Sequence, residues 1–147
     1  MTPTIYDPER RAELLTRLAL LRPDAIARWG RMSAPKMVAH LDDACRLANG
    51  DLQLPRMVVP LRPLVKWVAL YLLPFPHGAP TARGLLERQP AGWDSDLARL
   101  RDRIAAVRVP GPADTLGDHP FFGAMTARDW GVLLYKHVDH HLRQFGV

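Results

Sequence analysis

Three of the six histidines, His137, His140 and His141, fall within five residues of the stretch "YKHVDHHLRQFGV". Imidazole titrates near neutral pH and is a common ligand of divalent metals, so such a cluster can hold a metal or move protons. Helical geometry sorts the three. With Trp130 at zero and about 100° per residue, Leu134 falls at about 40°, His141 at about 20°, His137 at about 340° and Gln144 at about 320°. Lys136, Asp139 and Arg143 lie on the opposite side, and His140 sits at about 280°, on the boundary. The apolar side of this helix therefore carries His137 and His141 one turn apart. Such a pair can reach one ion. A third ligand from a facing helix leaves positions for water or substrate, the pattern of a catalytic rather than a structural site. The alternative is a pair of histidines hydrogen-bonded to carbonyls, carboxylates or water inside a helical core.

The third ligand is sought upstream. In "SAPKMVAHLDDACRLANG" the apolar stripe runs through Met37, Leu41, Ala44 and Ala48, and His40 lies at its edge, within reach of an interhelical groove. Lys36, Asp42, Asp43 and Arg46 fill the far side, so the two aspartates are expected to be solvated. Cys45 points away from His40 and has no activating base beside it, which makes it a small buried hydrophobe. His119, in the loop "GDHPFFG", is expected to anchor that loop in preference to acting as a fourth ligand or proton shuttle. Gln144 either bonds a ligand ring, as outer-shell groups do, or caps the helix end. Trp130 shares the histidine face and is expected to wall the cavity. His140 is expected at the surface in preference to a place behind the ligands. His77 is also expected to be exposed.

The elements that must position these groups are helical. Asp7-Pro8 starts a helix that runs to about Leu21, before Pro23. Ser33 caps the second helix and Asn49-Gly50 stops it. The apolar segment "LVKWVALYLLPF" reads as a buried helix, from about Leu61 to Leu73, too short to span a bilayer. A long irregular connection follows, Pro74 to Trp93. "DSDLARLRDRIAAVRV" is the next helix. Thr126 and Asp129 stand at capping-box spacing at the head of the last. No alternating strand pattern is present. The expected fold is all-α: a single domain over residues 1–147, built as a four-helix bundle with short extra helices and a long middle loop.

Composition narrows the function classes. A chain of 147 residues with 48% hydrophobic and 24% charged residues builds one globular core. The formal charge of +5 comes from dispersed arginines rather than a basic run or stripe, which argues against nucleic acid as the partner. The opening "MTPTIYDPERR" lacks a basic region followed by an apolar run, so no signal peptide is expected. The lone Cys45 allows no internal disulfide, which fits a reducing, cytoplasmic setting.

The order of elements and "MVAHL" with "HVDHHLRQ" resemble the DinB-like (YfiT-like) superfamily of metal-dependent four-helix bundles. That family is marked by a histidine in the second main helix and an H-x-x-x-H pair in the last, often written H-x-x-H-H-x-x-Q. "WGRMSAPKMVAHLDDA" and "HPFFGAMTARDW" resemble a branch of that superfamily described only as a domain of unknown function. The likeness covers Trp29 to Asp43 and His119 to Gln144 well, and about Leu52 to Pro112 only loosely. The resemblance implies His40, His137 and His141 as ligands of a divalent ion, with nickel, zinc, iron and manganese all compatible. It implies thiol-dependent chemistry with a low-molecular-weight thiol such as bacillithiol, mycothiol or glutathione, a small-molecule substrate, and a homodimer. A metal-held thiol would have a lowered pKa and supply a nucleophile at neutral pH.

Overall fold

Capping side chains start three of the long helices. In α1 (Pro8–Leu18) the Asp7 carboxylate accepts from the Glu9 and Arg10 amides, with Pro8 as the first helical residue. In α2 (Ala34–Ala48) the Ser33 hydroxyl accepts from the Lys36 amide. In α5 (Ala127–Gln144) Thr126 and Asp129 exchange side-chain and backbone bonds in a full capping box. The computed structural model describes residues 1–147 and is helical, with five α-helices and no strand. The remaining two are α3 (Arg62–Trp67), which continues as a π-helical turn over Val68–Leu72, and α4 (Trp93–Ala105). A single 3₁₀ turn, Arg83–Leu85, interrupts the long connection. No helix is long and apolar enough to cross a membrane.

α1 stops three residues short of the expected Leu21. The Leu20 and Leu21 amides bond Arg17 and Leu18 carbonyls, a tightened final turn. Leu21 nevertheless stays buried. α2 packs on α4 and α5, and α1 packs on the same two helices from the other side. Leu14 and Leu18, Met37 and Leu41, Leu100 and Ile104, and Val138 and Leu142 fill the core between them. Burying each such side chain contributes about 1.5–3 kcal/mol. The chain's N-terminal segment closes one side: the Ile5 amide donates to the Gly131 carbonyl at 2.9 Å, and Ile5 is wholly buried.

Two expectations are overturned. The apolar segment around α3 is not a buried helix. Only Leu70 is buried, while Leu61, Leu64, Trp67, Leu72 and Leu73 are all more than half exposed. The four long helices already fill the core, so the segment is fastened by polar ties instead. Lys66 Nζ reaches the Asp129 carboxylate at 3.1 Å and Tyr71 donates to it at 2.6 Å. Lys136 donates to the Ala69, Leu70 and Leu73 carbonyls, which the π-helical turn leaves unpaired. Lys136 is thus not a freely solvated residue of a polar face.

Asp42 and Asp43 are not solvated either; they are 2% and 3% exposed. Arg88 spans both carboxylates, at 2.8 and 3.1 Å, and also donates to the Ala39 carbonyl. Arg103 of α4 takes the other Asp42 oxygen at 2.6 Å, and Arg46 the other Asp43 oxygen at 3.0 Å. Each buried charge is thereby paired, which burial requires. The consequence is positional: Arg88 pins the long connection to α2, directly after the turn that covers His40.

Candidate metal centre

α2 and α5 face each other, and their histidines meet. Each of His40, His137 and His141 offers a ring nitrogen, and the three nitrogens lie within 4.8 Å of one another. His40 Nε2 is 2.9 Å from His137 Nε2. The ring centroids are 4.8–5.0 Å apart in all three pairs. Two nitrogens on one tetrahedral zinc ion, each bound at about 2.0–2.1 Å, stand about 3.3 Å apart. The observed spacing brackets that value, so the three rings are compatible with one shared ion.

What holds the rings decides which nitrogens they present. His40 Nδ1 lies 3.0 Å from the Leu85 carbonyl and can only donate to it. His141 Nδ1 lies 2.7 Å from Gln144 Oε1. The Gln144 amide is itself oriented, because its Nε2 donates to the Trp29 carbonyl at 2.8 Å. Both rings therefore carry their proton on Nδ1 and turn an Nε2 lone pair inward. A carbonyl behind each ligating imidazole is the arrangement that fixes tautomer and orientation at metal sites.

The electrostatics agree. Burial pushes the His40 pKa below its ordinary value. Burial, with repulsion from His40 and His141, pushes His137 well below. Burial takes His141 down to about 3, against a smaller raising effect of the Gln144 bond. The three rings are neutral at physiological pH, the state that coordinates a metal.

The rings open onto a cavity of about 440 Å³, within the range of small-molecule sites. Its walls are largely apolar, with Phe75, Leu85, Phe121 and Leu133 among them. His119 lies on this wall, outside the three-nitrogen group. Its Nδ1 accepts from the Phe121 and Phe122 amides at 3.2 and 3.3 Å, and its ring stacks on Phe122. That is the loop anchor read from the sequence. Because Nδ1 is an acceptor, the neutral ring carries its proton on Nε2, as a donor and not a fourth ligand. Burial pushes its pKa down to about 4.

His140 is half-buried, with its ring beside Trp29, Phe75 and His141 and on the cavity wall, so it is not the free surface residue expected. His77 is exposed, yet it stacks on Trp29 at 3.8 Å. Trp130 does not wall the histidine cavity. Its indole N–H donates to the Gly117 carbonyl at 2.9 Å, and it lines a separate cavity of about 570 Å³ with Tyr6 and Arg103. The helical angle placed it on the right side of α5, but it lies almost two turns from His137, toward the other end of the helix. Cys45 is buried and its thiol is pushed up to about 12 by burial, so it is no nucleophile at neutral pH.

Sequence reasoning did not find the Leu85 carbonyl or the Arg88 clamp that carries it to His40. The first is a backbone atom and has no residue-type signature. The second gave no sequence signal either, because Asp42 and Asp43 lie on the polar side of α2 and only the structure shows that side covered.

A family model described as a protein of unknown function (DUF1569) matches residues 10–146. No curated protein and no solved structure matched the chain. The family description carries no activity, so the chemistry of the site rests on its geometry.

Proposed function

The chain belongs to the DUF1569 family, and we propose that it is a metal-dependent enzyme whose His40, His137 and His141 hold one divalent ion. The observation that carries this reading is the pair of carbonyl-type oxygens, from Leu85 and Gln144, that fix two of the rings with Nε2 inward. A helical core that merely tolerated histidines has no need to aim their lone pairs at one point. Three neutral protein ligands leave coordination positions open, which favours a catalytic over a structural role.

With a divalent ion in place, its charge favours the deprotonated form of a thiol or water at the open position. The chain's own groups do the rest. The imidazoles stay neutral through burial and do not compete for protons. The apolar wall thins out water and strengthens every charge interaction inside. His119 offers an N–H from a loop that Gly123 closes by two backbone bonds, 2.8 and 2.7 Å. The same arrangement supports membership of the DinB-like superfamily of four-helix bundles, and with it S-transfer from a low-molecular-weight thiol, or hydrolysis, as the reaction class. Nickel, zinc and iron suit a three-imidazole site, and manganese, which prefers oxygen ligands, suits it least.

A second reading draws on the 2.9 Å approach of His40 and His137. There His137 Nε2–H donates to His40 Nε2, and the trio is a hydrogen-bonded core of a non-catalytic binding module. Calorimetric titration of metal-free protein with zinc separates the two. The metal reading expects one site per chain, with affinity lost in His40→Ala. Absence of any binding heat or of any rise in thermal stability would leave only the second reading.

A further inference from the structure

The charge of the cavity wall is one-sided. No aspartate or glutamate lines it, and the exposed Arg31, which does, is in no ion pair. Two donors on the same wall stand without an acceptor. Trp29 Nε1–H is the one buried side-chain polar atom in the chain with no hydrogen-bond partner. His119 Nε2–H is the other, its Nδ1 being spent on the loop. A divalent ion held by three neutral imidazoles keeps its full double charge, and no protein anion is there to offset it. A bound cation, Arg31 and the free Trp29 and His119 N–H groups call for negative charge or an acceptor, while Phe75, Leu85 and Phe121 call for an apolar body.

Resting on the metal-site reading above, we propose that the cavity takes a compact organic anion with an apolar body, its thiolate or carboxylate head on the metal. Its head is drawn by the uncompensated ion and by Arg31, and its body packs on the Phe75–Leu85–Phe121 wall. A zwitterionic peptide-like thiol fits this wall poorly, because its ammonium group meets no carboxylate there. An amine of the same shape is repelled.

The test uses the full chain loaded with cobalt(II), whose visible absorption reports ligands entering the coordination sphere. The probes are phenylacetate and acetate, 2-phenylethanethiol and glutathione, 2-phenylethylamine, and azide as a small anion. Each phenyl anion is expected to bind about tenfold or more tighter than its partner, as burial of a ring predicts. The thiol and carboxylate arms tell which head the site prefers, and the amine is expected to leave the spectrum unchanged. Val65→Glu puts a carboxylate on the wall at a residue already 40% exposed, so folding is spared. It is expected to weaken phenylacetate about fivefold or more while the cobalt spectrum persists. Phe121→Ala is expected to weaken the phenyl anions about tenfold with azide unchanged. Cobalt bound, but glutathione as tight as the phenyl thiol or acetate as tight as phenylacetate, overturns the ligand proposal alone. A chain that takes up no cobalt overturns the metal reading and this proposal with it.

Discussion

Lowering the pH of the metal-free protein is expected to destabilise it through His141, and the size of the effect follows from its surroundings. The ring is 8% exposed, and burial holds its pKa at about 3 in the fold. In the unfolded chain the same ring titrates at about 6.5. Above that value both states are neutral and the group has no effect on stability. As pH falls below about 6.5, the unfolded chain takes up a proton that the fold refuses, so stability is lost progressively toward pH 3. Between pH 8 and pH 5 the loss from His141 alone is about 2 kcal/mol. Urea unfolding reads this as a midpoint shift of about 1 M, for a slope of about 2 kcal/mol per molar. The comparison is with His141→Leu, which removes the titrating group and keeps an apolar side chain of similar size. The variant's absolute stability is not the readout; its pH dependence is. It is expected to lose about 2 kcal/mol less than the wild type over the same interval, with His40 and His137 still contributing. Equal losses in the two proteins would refute the claim that His141 is buried in its neutral form.

Other expectations follow from neighbouring contacts. Gln144→Leu removes the acceptor behind His141 Nδ1 and is expected to weaken zinc binding about 10- to 100-fold in a competition titration, with the fold intact by circular dichroism. Arg88→Met leaves Asp42 with Arg103 and Asp43 with Arg46, so the expected loss is about 1–3 kcal/mol in urea unfolding rather than collapse. The same change frees the Leu85 carbonyl from its anchor, and zinc affinity is expected to fall with it. Gly117→Ala places a Cβ 1.8 Å from the Leu47 carbonyl oxygen, where only backbone movement relieves the clash. A loss of about 1–3 kcal/mol or more is expected, visible as a lower thermal midpoint.

What could be read ahead of the structure was mostly local. Asp7-Pro8, Ser33 and the Thr126–Asp129 pair start helices because each side chain bonds amides two or three residues away, inside one short window. The meeting of His40 with His137 and His141 was also legible, since each lies on or beside its helix's apolar stripe, and stripes face one another. What failed was non-local. The apolar composition of the α3 segment says how favourable its burial would be, not whether α1, α2, α4 and α5 leave it room. The angular position of Asp42 and Asp43 on α2 says nothing of Arg88 and Arg103, which come 45 to 61 residues later to neutralise them. A helical wheel places Trp130 at the wrong cavity because it discards height along the axis, and about 1.5 Å per residue separates it from His137. The carbonyls behind the histidines belong to the tertiary fold and to one glutamine rotamer.

The claim that His40, His137 and His141 hold a metal is tested most directly by elemental analysis of protein purified without a histidine tag, beside His137→Ala. About one divalent ion per chain in the wild type, lost in the variant, is the result expected of a three-ligand site reduced to two. No metal in either protein, even after incubation with zinc, nickel, iron and manganese, would contradict it and leave the histidines as hydrogen-bonded members of the core.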